Sequence, residues 1–223
     1  MKKKLNIIGC GNVGKTLGQL WAQTGVFEIG DILNRSQNSA SEAIEFMGAG
    51  QVATSIDSIN PADLFLISTP DNYIIETCNA LTNCGILQPG NSVFHCSGAL
   101  PSNELESAKR CGAWIASVHP VKSFADPEMA IATFNGTFCG VEGDEELLTI
   151  LRPALQAIGA TTFGVDPDNK TFYHAASVIV CNYLTALLEL GIQTYTKAGL
   201  ERETAMQVME PMVRGTLDNI FKL

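Results

Sequence analysis

Three glycines placed directly behind a short apolar run constrain this chain more than any other feature. Leu5-Asn6-Ile7-Ile8 has the make-up of a strand, Gly9-Cys10-Gly11-Asn12-Val13-Gly14 follows at once, and the pattern from Val13 to Thr24 predicts a helix. G-x-G-x-x-G in that setting has a mechanical meaning. Gly9 permits the tight turn, Gly11 lets a diphosphate approach the backbone, and Gly14 lets the helix lie close on the strand. The helix N-terminus then turns its amide groups and the positive end of its dipole toward the phosphates. Gly18, four residues further on, keeps the packed face thin. The alternative is an ordinary glycine turn in an α/β protein.

Further along, short apolar runs alternate with longer helical patterns. Strands are expected at Leu5–Ile8, Phe27–Leu33, Leu64–Ser68, Ser92–Cys96, Trp114–Val118, Thr137–Val141 and Thr161–Val165. Helices are expected near Val13–Thr24, Ser39–Met47, Tyr73–Asn83, Ser102–Lys109 and Glu145–Ile158. Such alternation predicts βαβ units, hence an α/β fold with a Rossmann-type, parallel-rich sheet.

The pattern changes at Asp166-Pro167-Asp168-Asn169, and from Thr171 onward only helix is expected, broken near Gly199 and Pro211. Residues 1–165 therefore form the sheet domain and 166–223 a small all-helical domain. Its 58 residues make a marginal core by themselves. The first helix alone would span about 40 Å. Its apolar faces must dock on the sheet domain, on a second copy, or on both, which predicts a homodimer through the C-terminal helices.

Charge and cysteines narrow the classes. With 23 acidic against 14 basic residues the net charge is −9, which repels nucleic acid, and Lys2-Lys3-Lys4 is too short to offset it. The seven cysteines are odd in number and form no C-x-x-C pair, so neither a metal site nor a disulfide framework is expected. That points to a reduced, cytoplasmic protein. The basic start lacks the apolar core of a signal peptide, and no run approaches 18 uninterrupted apolar residues, so no membrane span is expected.

The end of the second strand indicates which dinucleotide. Twenty residues after Gly14 stand Asn34-Arg35-Ser36, where an NAD site places an acid, and Asp31 lies earlier, inside the strand. Arg35 offers a planar fork to a 2′-phosphate, with Asn34 and Ser36 adding hydrogen bonds, so NADP(H) is expected. A solvated arginine at a strand end is the alternative.

Ligands in such sheets bind at the carboxyl ends of the strands. Ser68, Thr69 and Pro70 should border the ribose and nicotinamide, with Asp71 capping the next helix. Two further strand ends carry His95-Cys96-Ser97-Gly98 and His119-Pro120-Val121-Lys122-Ser123. Ser97, His119 and Lys122 are candidate catalytic residues, turn and capping roles staying open. On the long helix, His174, Cys181, Asn182, Thr185 and Glu189 fall within an arc of about 100° on an otherwise apolar surface. That stripe either faces a substrate or satisfies a helix–helix contact.

These residues together resemble the 6-phosphogluconate-dehydrogenase-like reductases, a group that includes pyrroline-5-carboxylate reductase and ketopantoate reductase. The likeness is nearest to a bacterial branch that joins a Rossmann-like domain to a C-terminal helical domain of unknown function. It is carried by Gly9–Gly14, Asn34-Arg35-Ser36, Thr69-Pro70-Asp71, His95–Gly98, His119-Pro120 and Tyr173-His174-Ala175-Ala176 with Asn182-Tyr183. The resemblance implies that His174 and Asn182 assist proton transfer, although Asn182 stands two helical turns after His174 rather than one. The expected function is NADP(H)-dependent hydride transfer to or from a small polar carbonyl, imine or hydroxy acid. His174 is the first expected proton donor, then His119 and Lys122, with Asn182 and Ser97 orienting the substrate oxygen. A non-catalytic NADP(H) sensor is the alternative from another class, and deazaflavin–NADP exchange ranks below both.

Overall fold

Successive side chains point to opposite faces of a strand, so a strand that is apolar at every position must be covered on both sides. The computed structural model describes residues 2–222 and divides into two compact units, Met1–His174 and Ala175–Leu223. In the first unit the strands are β1 (Lys3–Ile8), β2 (Phe27–Leu33), β3 (Gln51–Val52), β4 (Leu64–Ile67), β5 (Ser92–His95), β6 (Trp114–Pro120), β7 (Phe138–Gly143) and β8 (Thr161–Gly164). They lie in the order β3-β2-β1-β4-β5-β6-β7-β8. All neighbours are parallel except β6 and β7, which run antiparallel.

The helices of this unit are α1 (Asn12–Thr24), α2 (Gln37–Met47), α3 (Asp71–Asn83), α4 (Glu106–Arg110), α5 (Pro127–Ala132), α6 (Glu145–Gln156) and the start of α7 (Lys170–Val178). Leu5, Ile7, Leu64, Leu66, Phe94 and Val118 enter one core with Leu17 and Trp21 of α1 and Leu151 of α6. Ile8, Phe65, Ile67, Val93 and Ile115 enter the other with Ile74, Cys78 and Leu81 of α3. Trp21 is fully buried, packs edge-on against Phe27 and Phe94, and donates its indole N–H to Ala154 O at 3.0 Å. Strand order reverses between β1 and β4, and the glycine turn stands at the carboxyl end of β1.

Several expectations need correction. β3 is only two residues long and α5 only six, too short to show a period. β6 continues to Pro120, so His119 lies inside the strand and not after it. The sheet unit runs past the expected limit at 165 to His174, because Lys170 and Tyr173 bond to groups on the sheet.

In the second unit, α7 passes into a π-helical segment (Ile179–Tyr183), followed by α8 (Leu184–Lys197) and α9 (Arg202–Ile220). The wide π turn changes the angular spacing of the stripe from His174 to Glu189, which a uniform α-helix had predicted. A break does fall at Gly199, where φ is +98°. Pro211, by contrast, lies inside α9. The carbonyl it frees is that of Gln207, an exposed residue. Arg202 grips Glu189 with two hydrogen bonds of 2.9 and 2.8 Å, joining α9 to α8. The helical run Pro167–Lys197 is 31 residues long with a most apolar window of mean hydropathy 1.7. By length and composition alone it is sufficient to cross a membrane, contrary to the expectation from uninterrupted runs. One such helix is weak evidence for a span.

Candidate functional site

The glycine turn is shaped by close approach. Gly9 has φ +82°, and a Cβ there would sit 2.6 Å from Thr69 N. At Gly14 a Cβ would stand 2.6 Å from Ser68 Oγ, whereas at Gly11 it would meet nothing within 4 Å. Gly11 also occupies the N-cap of α1 without any side-chain acceptor. The first amides of α1, those of Asn12 and Val13 included, thus open toward space, the arrangement that receives a phosphate.

The flanking residues divide into braces and free groups. Asn34 Oδ1 accepts from Cys10 N at 2.6 Å, and its Nδ2 donates to Ser39 O at 3.0 Å and Cys10 O at 3.3 Å. Its carboxamide is fully engaged in holding the turn, which corrects its expected role toward a 2′-phosphate. The Asn12 side chain is likewise committed, donating to Phe124 O at 2.7 Å and Ala125 O at 3.2 Å. Ser68 donates to Gly9 O at 2.9 Å and Ser36 caps α2 by accepting from Ser39 N at 3.2 Å. Pro70 holds the N-cap position of α3. Cys10 is buried, and that burial pushes its thiol up to about 12. Three groups are left to face a ligand. Arg35 is exposed just after β2, the exposed Ser36 hydroxyl keeps its proton to donate, and Thr69 Oγ1 is buried with no hydrogen-bond partner in the chain. Asp31 accepts from Gln51 Nε2, Asn60 N and Asn60 Nδ2 inside the fold, so no free acid stands where a ribose would lie.

A second cluster lies at the ends of β5 and β6. Ser97 donates its hydroxyl to Asp71 Oδ2 at 2.8 Å, while the same oxygen accepts from Ala99 N and Leu100 N at 3.1 and 2.9 Å. Asp71 is therefore a partner of this loop and not the helix cap expected, and Ser97 is a brace, not a free hydroxyl for substrate. His95 accepts from Ser97 N at 3.1 Å through Nδ1, which leaves Nε2–H to donate to Pro101 O at 3.2 Å. Burial pulls this imidazole down to about 3, with the Lys170 charge adding to it.

Beside that loop, His119 Nδ1 and the Tyr173 hydroxyl are 2.8 Å apart. The His119 ring meets those of Tyr173 and His174 edge-on, at 5.5 and 5.8 Å between centroids. Burial pulls His119 down to about 4, reinforced by His174 and Lys170 and opposed by Asp71, while burial pushes Tyr173 up to about 12. When that phenol donates, the imidazole keeps its proton on Nε2. Nε2 faces Gly98, where a Cβ would lie 2.7 Å from it and would also overlap His174 Nδ1. His174 Nδ1 is buried and has no partner in the chain. Two imidazole nitrogens thus converge on the one residue that lacks a side chain, and can donate to or accept from a small oxygen or nitrogen group placed there.

Of the predicted catalytic residues, the structure brings Ser97, His119 and His174 together. Lys122 is placed elsewhere, donating to Thr133 O at 2.9 Å and Thr133 Oγ1 at 2.7 Å at the end of α5. Asn182 belongs to the second unit, exposed in the π segment. Sequence reasoning missed Tyr173 as a partner of His119, and it missed Lys170 and Glu142 altogether. Among the described residues no group of three or more His, Cys, Asp or Glu side chains could hold a metal ion.

Comparisons with known proteins agree with this architecture. Residues 1–120 match the Rossmann-like domain family and residues 137–223 match a domain of unknown function, DUF2520. A curated NAD-dependent L-serine dehydrogenase of Pseudomonas aeruginosa is 27% identical over 220 residues, covering 95% of this chain and 69% of that protein. The crystal structure of protein TM1727 from Thermotoga maritima superimposes with a TM-score of 0.75 at 30% identity, covering 98% of this chain and 79% of that one. A reductive aminase from Aspergillus terreus, in complex with NADPH and ethyl levulinate, shares the fold with a TM-score of 0.77 at 17% identity, covering 99% of this chain and 75% of that one.

Proposed function

The chain belongs to the Rossmann-like domain family, and from that membership we propose that it is an NADP(H)-dependent oxidoreductase acting on a small polar carbonyl, imine or hydroxy acid. The observation that carries the proposal is the convergence of His119 and His174 on Gly98, on the same sheet as an open glycine turn. Residues 9–14 would hold the diphosphate through backbone amides, Arg35 the 2′-phosphate, and Thr69 Oγ1 a hydroxyl of the coenzyme. NADPH, when bound, supplies the hydride.

The chain's own residues supply the proton and the orientation. His119, kept uncharged, presents Nε2–H as a neutral donor to an oxygen or nitrogen that gains electron density. Tyr173 fixes that ring by its hydrogen bond. His174 is the proton donor, since its buried Nδ1 has no partner in the chain and stands beside Gly98. The absence of a side chain at Gly98 leaves the room in which the substrate oxygen would sit.

Related proteins with NAD(P) chemistry by name, the Pseudomonas dehydrogenase and the NADPH-bound aminase, support this function. The coenzyme preference rests on Arg35 and on the engagement of Asp31. We assign the exposed apolar helices of the second unit to a homodimer with a second copy of the chain. The seven free cysteines suit a reducing, cytoplasmic setting. Calorimetry with both coenzymes tests the central claim. The expected result is NADPH binding at least about tenfold tighter than NADH, the worth of one charged hydrogen-bond pair. Tighter NADH binding would overturn the preference, and no heat with either coenzyme would overturn the function.

A further inference from the structure

Behind the imidazoles lies an ion pair that the proposed chemistry does not use. Lys170 is 2% exposed, and its Nζ donates to Glu142 Oε1 at 3.1 Å and to Ser117 Oγ. Glu142, 6% exposed, is itself saturated: Oε1 accepts from Ser102 N at 2.8 Å and Oε2 from Ser102 Oγ at 2.6 Å. Ser117 passes the chain of bonds on, donating to Ser97 O at 3.3 Å. One network therefore ties the first residue of α7 to β6, to β7 and to the loop that carries Gly98.

We infer that Lys170 is the positioning residue of this site: pinned to Glu142 and Ser117, it fixes the helical turn that presents Tyr173 and His174, and it holds a buried positive charge behind His119. The inference rests on the His119–His174 cluster being the active site. Residues 170, 173 and 174 are related as i, i+3 and i+4, so they share one face of α7. A lysine anchored into the sheet at the start of that turn sets where the next two side chains land. A buried ion pair contributes little net stability compared with apolar residues, so its value here lies in geometry and field.

The charged and titratable groups facing His119 are Tyr173, His174 and Lys170 from α7, and Asp71 from α3. Glu142 reaches it only through Lys170, and His95 of β5 feels the same lysine. Lys170 and His174 disfavour protonation of His119, and Asp71 favours it. Burial also draws the lysine itself below its ordinary range, with Glu142 opposing. Removing the lysine charge makes the imidazolium easier to form.

The chain has three histidines, so each can be followed by long-range 1H–15N NMR in a pH titration of the full-length protein. In the native protein His119 should stay neutral down to about pH 4. In Lys170→Met its titration should rise measurably toward the ordinary value near 6.5 without reaching it, since burial and His174 remain, while Lys170→Arg, which keeps the charge, should restore the low value. Lys170→Gln loses the charge but keeps a hydrogen-bond donor, one atom nearer the backbone, so it serves where the methionine variant does not fold by circular dichroism. A folded Met or Gln variant with unchanged His119 titration would overturn the inference, as would an arginine variant in which His119 rises as it does in the methionine variant. NADPH affinity, measured on the same variants, should not change. Its absence in the native protein would count against the coenzyme function alone and leave the titration result standing.

Discussion

The sheet unit and the helical unit treat their apolar side chains in opposite ways. In the first, Trp21, Phe65, Phe94 and Phe134 are all at most 1% exposed. In the second, among the described residues, only Ile192 and Ala205 are buried, while Val180, Leu187 and Phe221 are 65, 64 and 86% exposed. The helical unit is the more apolar of the two in sequence, so composition did not produce the contrast. Strands packed between two layers of helix bury both their faces within one unit, whereas a pair of helices buries only the seam between them. Exposed apolar surface of this kind marks an interaction site. Stability in the sheet unit is therefore intrinsic, and in the helical unit it depends on what covers it.

Substitutions can break or sharpen that contrast. The largest effect is expected at Trp21: Trp21→Ala empties a filled core site and should lower unfolding free energy by about 3–5 kcal/mol in urea titrations. A loss below about 1 kcal/mol would mean that the sheet core is looser than its burial implies. Acid should act next. His95 and His119 are held at about 3 and about 4 in the fold against 6.5 when free. The unfolded chain then binds more protons below 6.5, so stability is full above that pH and falls as pH drops toward 4 and 3. The fall, a few kcal/mol followed by thermal melts, belongs to the sheet unit, which contains both histidines.

Arg35→Ser should weaken NADPH by about 1.5–3 kcal/mol and leave NADH nearly unchanged, read by calorimetry. Equal losses for both coenzymes would relocate the 2′-phosphate contact. Smallest in stability is Leu187→Lys, expected to change unfolding free energy by less than about 0.5 kcal/mol at low protein concentration. Light scattering should nevertheless show it monomeric under conditions in which the native chain is expected to be a dimer. A native chain that is monomeric at micromolar concentration would refute the dimer.

The same contrast explains what could be read from residues alone. Strands and the glycine turn announce themselves through local composition, so β1, β2, β4 and β5 were legible to within a residue or two. β3 was not, because a two-residue strand has no period. Asp71 looked like a helix cap, since a partner 26 positions away leaves no local trace. Lys170 and Glu142, 28 positions apart, are ordinary charged residues until the fold buries them together. Asn34 sat at the right place for coenzyme contact, but its carboxamide matched the backbone of Cys10 better than open solvent. The π segment was equally invisible, because Ile179–Tyr183 continues the apolar helical pattern and a single wide turn leaves no local mark in it.

Cys10 occupies the middle of the turn that would meet the diphosphate, yet its sulfur points inward, 3.9 Å from Met47 Sδ. A sulfhydryl that stays protonated at every physiological pH is a poor target for peroxide or for alkylating reagents. The coenzyme loop is thereby passivated against oxidative damage, even though it carries the most easily oxidised element in the chain at its centre.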